Sequence, residues 1–231
     1  MKRKNMEKIK MLIVDDEVNI AKTIAATFAH WDYHVEICND GVCAWDKLQN
    51  EHFDITLLDL RLPGIDGMEV MKRLWEAKLN VDVIMITAHG NVDNAVQAMK
   101  YGAQDFVQKP LDPDKLRELV NKVLERRQLR MQNNIRYNEM LEEAKKHIRN
   151  REYSKAKTII EAAVKLIPNE PDGFNFLGAV CEIMGDNVAA MKAYQTAVKN
   201  DGDYQPAVEN LRRISSFGNR NGIILDMNAP K

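Results

Sequence analysis

The sequence predicts two folds in one chain: an α/β domain on a five-stranded parallel sheet, then a smaller all-α domain. Three observations predict this. Short β-branched apolar runs alternate with longer amphipathic ones as far as residue 128, the strand signal stops after about Leu116, and the helical half repeats itself at an interval of 34 residues.

The apolar runs are Lys10–Val14, Tyr33–Ile37, Asp54–Leu58, Asp82–Ile86 and Asp105–Val107. They are short, and several are β-branched, as strands buried on both faces require. Between them lie helix-like segments such as Gly41–Gln49 and Val92–Tyr101, the latter with apolar residues at Val92, Ala95, Val96 and Met99. Alternating strands and helices imply parallel pairing, right-handed crossovers and helices on both faces of the sheet. In such a sheet, ligands bind beyond the carboxyl ends of the strands.

Lys115–Asn133 carries Leu116, Leu119, Val120, Val123 and Leu124 and then turns polar and basic, so the last helix of the first domain is expected to run into a helical linker over 129–136. Arg126, Arg127 and Arg130 read as a solvated face, since no helix-turn-helix pattern or zinc spacing follows. From 137 to 217 the pattern is helical, with turn signals at Asn150, Pro168–Pro171, Gly185–Asp186 and Asp201–Pro206. Ala156 and Ala190, Ala163 and Ala197, Val164 and Val198, and Lys165 and Lys199 are each 34 apart. A helix from about Gln205 to Ser216 is expected to cap the stack, and the tail 218–231, rich in Asn and Gly, to be disordered.

The chain's 231 residues are 45% hydrophobic and 29% charged, enough for two modest cores. A net charge of -1 points to neither nucleic acid nor a membrane surface. The apolar run Met11-Leu12-Ile13-Val14 behind the basic start is too short for a secretory segment, and no stretch suits a membrane span. Three cysteines, an odd number, fit a reducing cytoplasm, and all three are read as packing residues; Cys38 and Cys43 lack zinc-site spacing.

Chemistry-bearing residues fall at the carboxyl ends of the expected strands: Asp15 and Asp16 after the first, Asp59 after the third, Thr87 after the fourth, Lys109 just beyond the fifth. Carboxylates gathered at one sheet edge repel one another unless a cation neutralises them, and oxygen ligands suit Mg²⁺. A metal beside a carboxylate and a lysine prepares phosphoryl transfer, the hydroxyl of Thr87 and the ammonium of Lys109 being able to hold the phosphoryl oxygens.

Residues 8 to 128 resemble the response-regulator receiver family. The resemblance rests on Val14-Asp15-Asp16-Glu17, Leu58-Asp59-Leu60-Arg61-Leu62-Pro63-Gly64-Ile65-Asp66-Gly67, Ile86-Thr87-Ala88 and Phe106-Val107-Gln108-Lys109-Pro110. It implies a flavodoxin-like strand order 2-1-3-4-5 and a cis bond between Lys109 and Pro110. It also implies that Asp59 is the phosphoacceptor. Asp16, Asp59 and the backbone carbonyl of Arg61 would ligate Mg²⁺ directly, with Asp15 acting through water. Thr87 and Phe106 would be the switch pair, and Arg61 and His89 would flank the phosphoryl group and set its lifetime. The implied phosphodonor is a sensor histidine kinase, a histidine phosphotransfer protein or a small phosphodonor. The stretch Thr87–Pro110 is most similar to receivers of nitrogen-regulation activators, but no ATPase loop of the GxxxxGK[ST] type exists in the chain.

Residues 137 to 204 resemble two tetratricopeptide repeats. The second carries Phe174, Leu177-Gly178, Ala190, Tyr194 and Ala197; the first keeps Ala144, Ala156, Ala163 and Pro168 but holds Met140 where the aromatic belongs. The resemblance implies an output by protein binding, and the first helix of each repeat offers Leu141, Lys145, Asn175 and Ala179 as a candidate peptide groove. The whole reads as a cytoplasmic two-component response regulator rather than an enzyme, with an unidentified protein partner and a homodimer formed through Val92–Leu124. Two alternatives are a Mg²⁺-dependent hydrolase and a constitutive scaffold with a vestigial receiver. Aspartate-nucleophile phosphatases want a second Asp two residues after the first, where this chain has Arg61.

Overall fold

The computed structural model describes residues 8–29, 33–88, 92–216, 223 and 225. The chain divides into two compact units, with the boundary between Gln128 and Leu129.

In the first unit, β1 (Ile9–Val14), β2 (Tyr33–Cys38), β3 (Ile55–Asp59), β4 (Asp82–Thr87) and β5 (Asp105–Gln108) form one parallel sheet in the order β2-β1-β3-β4-β5. The expected strands are present within a residue or so at each end. Register pairs Val14 with Cys38 and with Leu58, and Asp59 with Ile86, so the carboxyl ends of the central strands finish level.

Successive strand residues point to opposite faces, and each face is apolar. Met11, Ile13, Ile55, Leu57, Ile84 and Ile86 pack against α1 (Val18–Phe28) and the start of α5 (Pro113–Arg149), through Ile24, Phe28, Leu116, Val120 and Val123. Leu12, Val14, Leu58, Val83 and Met85 meet α2 (Gly41–Asn50), α3 (Gly67–Glu76) and α4 (Val92–Lys100), through Ala44, Leu48, Val70, Met71, Leu74 and Ala98. Capping defines the starts: Asp40 accepts the Cys43 N–H at 2.7 Å ahead of α2, and Asp66 accepts the Glu69 N–H at 2.7 Å ahead of α3.

Two features of the fold differ from the sequence expectations. Arg127 is not on a solvated face: it is buried, 3.5 Å from Asp82 Oδ2 and 3.6 Å from Asp54 Oδ1. A guanidinium under a sheet needs carboxylates, and both aspartates stand at strand starts that only the fold brings beside α5. Nor are all three cysteines packing residues. The turn after β2 returns α2 along the strand end, leaving the Cα atoms of Cys38 and Cys43 5.8 Å apart, within bridging reach, and the two form a disulfide. Cys181 is free and buried.

In the second unit, the end of α5 is followed by α6 (Tyr153–Leu166), α7 (Pro171–Ile183), α8 (Asn187–Asn200) and α9 (Gln205–Ser215). The linker expected at 129–136 is part of α5, which is one helix from Pro113 to Arg149. Helix α8 begins 34 residues after α6, and α9 begins 34 residues after α7, so the sequence period is a period of helix pairs. Small residues let these helices approach closely. A methyl group on Gly178 would fall 2.5 Å from the Tyr194 ring, and the tyrosine is wholly buried there. Buried Tyr137 accepts the Gly173 N–H at 3.0 Å and donates to Asp172, which ties α5 to the first turn of α7. Of the tail expected to be disordered, Ile223 and Leu225 are described. Both are half-buried, and Leu225 packs against the cluster around Leu141, Ile160 and Phe176.

Candidate functional site

Level strand ends put the carboxylates of Asp15, Asp16 and Asp59 together, with ligand oxygens all within 4.8 Å of one another. Asp15 and Asp59 are buried and Asp16 is exposed, so the cluster is open on one side. Lys109 reaches in from beyond β5, its ammonium 2.6 Å from Asp59 Oδ2, 2.8 Å from Asp15 Oδ2 and 3.5 Å from Glu17 Oε1.

Backbone groups hold the carboxylates in place. The Arg61 N–H donates to Asp59 Oδ1 at 3.1 Å, and the Glu17 N–H to Asp15 Oδ1 at 3.0 Å. The Asp15 N–H donates to the Cys38 carbonyl at 3.1 Å. Helix α3 starts hard against the end of β3: a methyl group on Gly67 would fall 2.1 Å from the Asp59 carbonyl oxygen, so only glycine fits. The Lys109 N–H donates to the Thr87 carbonyl at 2.8 Å, and the Lys109–Pro110 bond is cis, as expected.

Burial pushes the Asp15 carboxyl above the usual carboxylate range, against the opposing pull of Lys109 and the Glu17 N–H. Burial also works against the charge on Lys109, but hydrogen bonds to Asp15 and Asp59 outweigh it and hold the ammonium above its usual value. One buried ammonium does not neutralise three carboxylates. The residual negative charge, the all-oxygen donor set and the exposed side at Asp16 fit a hard divalent cation.

Buried Thr87 ends β4 at the same edge. Phe106 is half-buried against the sheet face that packs on α2, α3 and α4. The Arg61 side chain is exposed, and His89 lies outside the described residues. Residues 11–121 match the family model of the response regulator receiver domain.

The first unit is a response regulator receiver domain. The chain is 36% identical over 118 residues to the transcriptional regulatory protein ZraR of Klebsiella oxytoca, covering 51% of this chain and 27% of that protein. It is 37% identical over 116 residues to the response regulator ArlR of Staphylococcus epidermidis, covering 50% of this chain and 52% of that protein. Among solved structures, a CheY-like response regulator receiver domain protein from Methanospirillum hungatei JF-1 matches with a TM-score of 0.50 at 28% identity, covering 52% of this chain and 95% of the other. The chain thus spans a quarter to a half of the length of these curated relatives.

Sequence reasoning missed two contributors to the receiver pocket. Glu17 adds a carboxylate facing Lys109, legible as the third acid of Asp15-Asp16-Glu17; Gly67 closes the Asp59 motif, and its contact with the Asp59 carbonyl has no local signal. In the second unit, the four candidate groove residues do not form a groove. Leu141, Asn175 and Ala179 are buried, Asn175 accepting from Asn210 Nδ2 at 2.9 Å. Lys145 lies over the Phe176 ring at 5.2 Å and pairs with Glu142 at 2.9 Å. Helix α9 packs its Asn210 against Asn175 of α7, on the face that the repeat pattern alone left open. A depression of about 220 Å³ lies instead between α6, α7 and α8, lined by Phe174, Leu177, Cys181 and Ala193 with Lys157 and Lys192 among its polar residues.

Proposed function

We propose that the chain is a two-component response regulator that accepts a phosphoryl group on Asp59 and signals through protein binding by its helical unit. The observation that carries the first part is the position of Lys109, bridging Asp59 and Asp15 at one edge of a receiver sheet.

Mg²⁺ would be held by Asp16, Asp59 and the Arg61 carbonyl, with Asp15 acting through water, and it would supply charge neutralisation for phosphoryl oxygens. Asp59 presents one oxygen as nucleophile while the Arg61 N–H holds the other. Attack on phosphorus forms the acyl phosphate, and the donor, a histidine of a sensor kinase or phosphotransfer protein or the acetate of acetyl phosphate, leaves. Lys109 exchanges its contact with the Asp59 carboxylate for the phosphoryl oxygens, and the Thr87 hydroxyl turns toward them, with Phe106 following into the space vacated. The protein is a phosphoacceptor in this reading, not an enzyme acting on a separate substrate, and it works in the cytoplasm. No helix among the described residues is long and apolar enough to cross a membrane.

The helical unit reads as two tetratricopeptide repeats and a capping helix; the support is the 34-residue period of its helix pairs and the seating of Gly178 on Tyr194. Exposed Val92, Val96 and Met99 on α4 suit phosphorylation-dependent homodimerisation.

The test is incubation with Mg²⁺ and acetyl phosphate. One acid-labile phosphoryl group per chain is expected by intact mass, absent without Mg²⁺ and absent in Asp59→Asn. Equal labelling of Asp59→Asn removes the assignment.

A further inference from the structure

We propose that Cys38 and Cys43 form a reversible thiol–disulfide site, and that its oxidation state sets how firmly the phosphorylation pocket is held. The proposal rests on the reading of Asp59 as phosphoacceptor only for its effect on phosphoryl lifetime, not for the redox chemistry itself.

The disulfide closes the turn between β2 and α2, and that turn touches both loops that build the pocket. On one side, the Cys38 carbonyl accepts the Asp15 N–H at 3.1 Å, beside the carboxylate that meets Lys109. On the other, the Gly41 N–H donates to the Pro63 carbonyl at 3.4 Å, and a methyl group on Gly41 would lie 1.8 Å from the Ile65 carbonyl oxygen. Pro63 and Ile65 belong to the loop that leaves Asp59, so one cross-link braces the loops of Asp15 and Asp59 at once.

Its two sulfurs are unequally placed. Cys38 ends β2 and is buried, whereas Cys43 is half-buried in the first turn of α2. Exchange therefore begins at Cys43. Its thiolate attacks a low-molecular-weight disulfide such as oxidised glutathione, forming a mixed disulfide and releasing one thiol. The Cys38 thiolate then attacks the Cys43 sulfur, expelling the second thiol and closing the protein disulfide. Two protein thiols are oxidised, one disulfide is reduced to two thiols, and the reverse steps restore the dithiol. In a reducing compartment, disulfides that do form are characteristically transient and redox-sensing. Buried Cys181 has no partner and serves as an internal control.

The full chain is equilibrated in reduced-to-oxidised glutathione mixtures, quenched by alkylation and mapped by mass. Cys38 and Cys43 are expected to lose reactivity together, while Cys181 does not change. After phosphorylation from acetyl phosphate, the oxidised protein is expected to keep its phosphoryl group about fivefold longer than the reduced protein. In Cys43→Ser that difference should vanish. Independent alkylation of Cys38 and Cys43 at every ratio, or equal lifetimes in the two states, overturns the proposal. If neither state takes up a phosphoryl group, the Asp59 reading fails, and amide hydrogen exchange over 11–20 and 60–66 decides the redox site. Slower exchange in the oxidised form supports it, and equal exchange overturns it.

Discussion

The ammonium of Lys109 lies 2.6 Å from Asp59 Oδ2, with only 8% and 6% of the two side chains exposed. Desolvation offsets much of the attraction in a pair this covered, but removing one partner leaves uncompensated buried charge. Lys109→Ala should therefore lower the stability of the first unit by about 3 kcal/mol in metal-free buffer. Because the variant pocket is more negative, Mg²⁺ should bind it more tightly and recover part of the loss. Urea denaturation with and without Mg²⁺, together with calorimetric titration, checks both effects; unchanged stability in chelator means the pair is not buried in solution.

Gly67 meets the Asp59 carbonyl with no room for a side chain. Gly67→Ala should destabilise the first unit by about 2 kcal/mol, as an overpacked core position does. It should also slow phosphoryl uptake from acetyl phosphate, since relief of the clash moves the strand end that carries Asp59. A variant as stable and as quickly labelled as the parent would show that α3 can shift freely.

Asn175 and Asn210 hydrogen-bond at 2.9 Å in the interior of the helical unit. Asn175→Ala should lower the stability of that unit by about 2 kcal/mol, because a buried amide loses its acceptor. Phosphorylation at Asp59 should be unchanged. A neutral substitution would mean that the side chain faces solvent, as the lining of an open groove would.

Acid should weaken the helical unit through Glu182. Burial alone would raise its pKa, but hydrogen bonds from Arg213 and Tyr194 outweigh it, and the group is held below its ordinary 4.5. A depressed carboxyl contributes stability that is fully present above the unfolded value of 4.5 and is lost as pH falls through the lower folded value. The stability of the second unit below pH 4.5 should thus fall more steeply in the parent than in Glu182→Gln, measured by denaturant unfolding at several pH values. Parallel pH profiles would rule out the contribution.

The sequence by itself determined the strands, the period of the helix pairs and the receiver pocket, because each is written in local pattern. Runs such as Met11-Leu12-Ile13-Val14 and Val83-Ile84-Met85-Ile86 are short and apolar throughout, as inner strands buried on both faces require. Parallel strands then bring Asp15, Asp59 and Thr87 to one edge, whatever the details of packing. Tertiary structure alone decided the rest, because those features depend on distances between residues far apart in sequence or across a turn of undetermined path. Asp82 and Asp54 make Arg127 a core residue only once α5 lies beneath the strand starts. Cys38 and Cys43 pair because the turn after β2 doubles back, which their spacing alone does not tell. In the helical unit, the repeat pattern marks which residues face a neighbouring helix but not whether that neighbour exists. Asn175 sits where the repeat pattern expects a groove lining, but α9 supplies Asn210, and the buried polar pair closes that position.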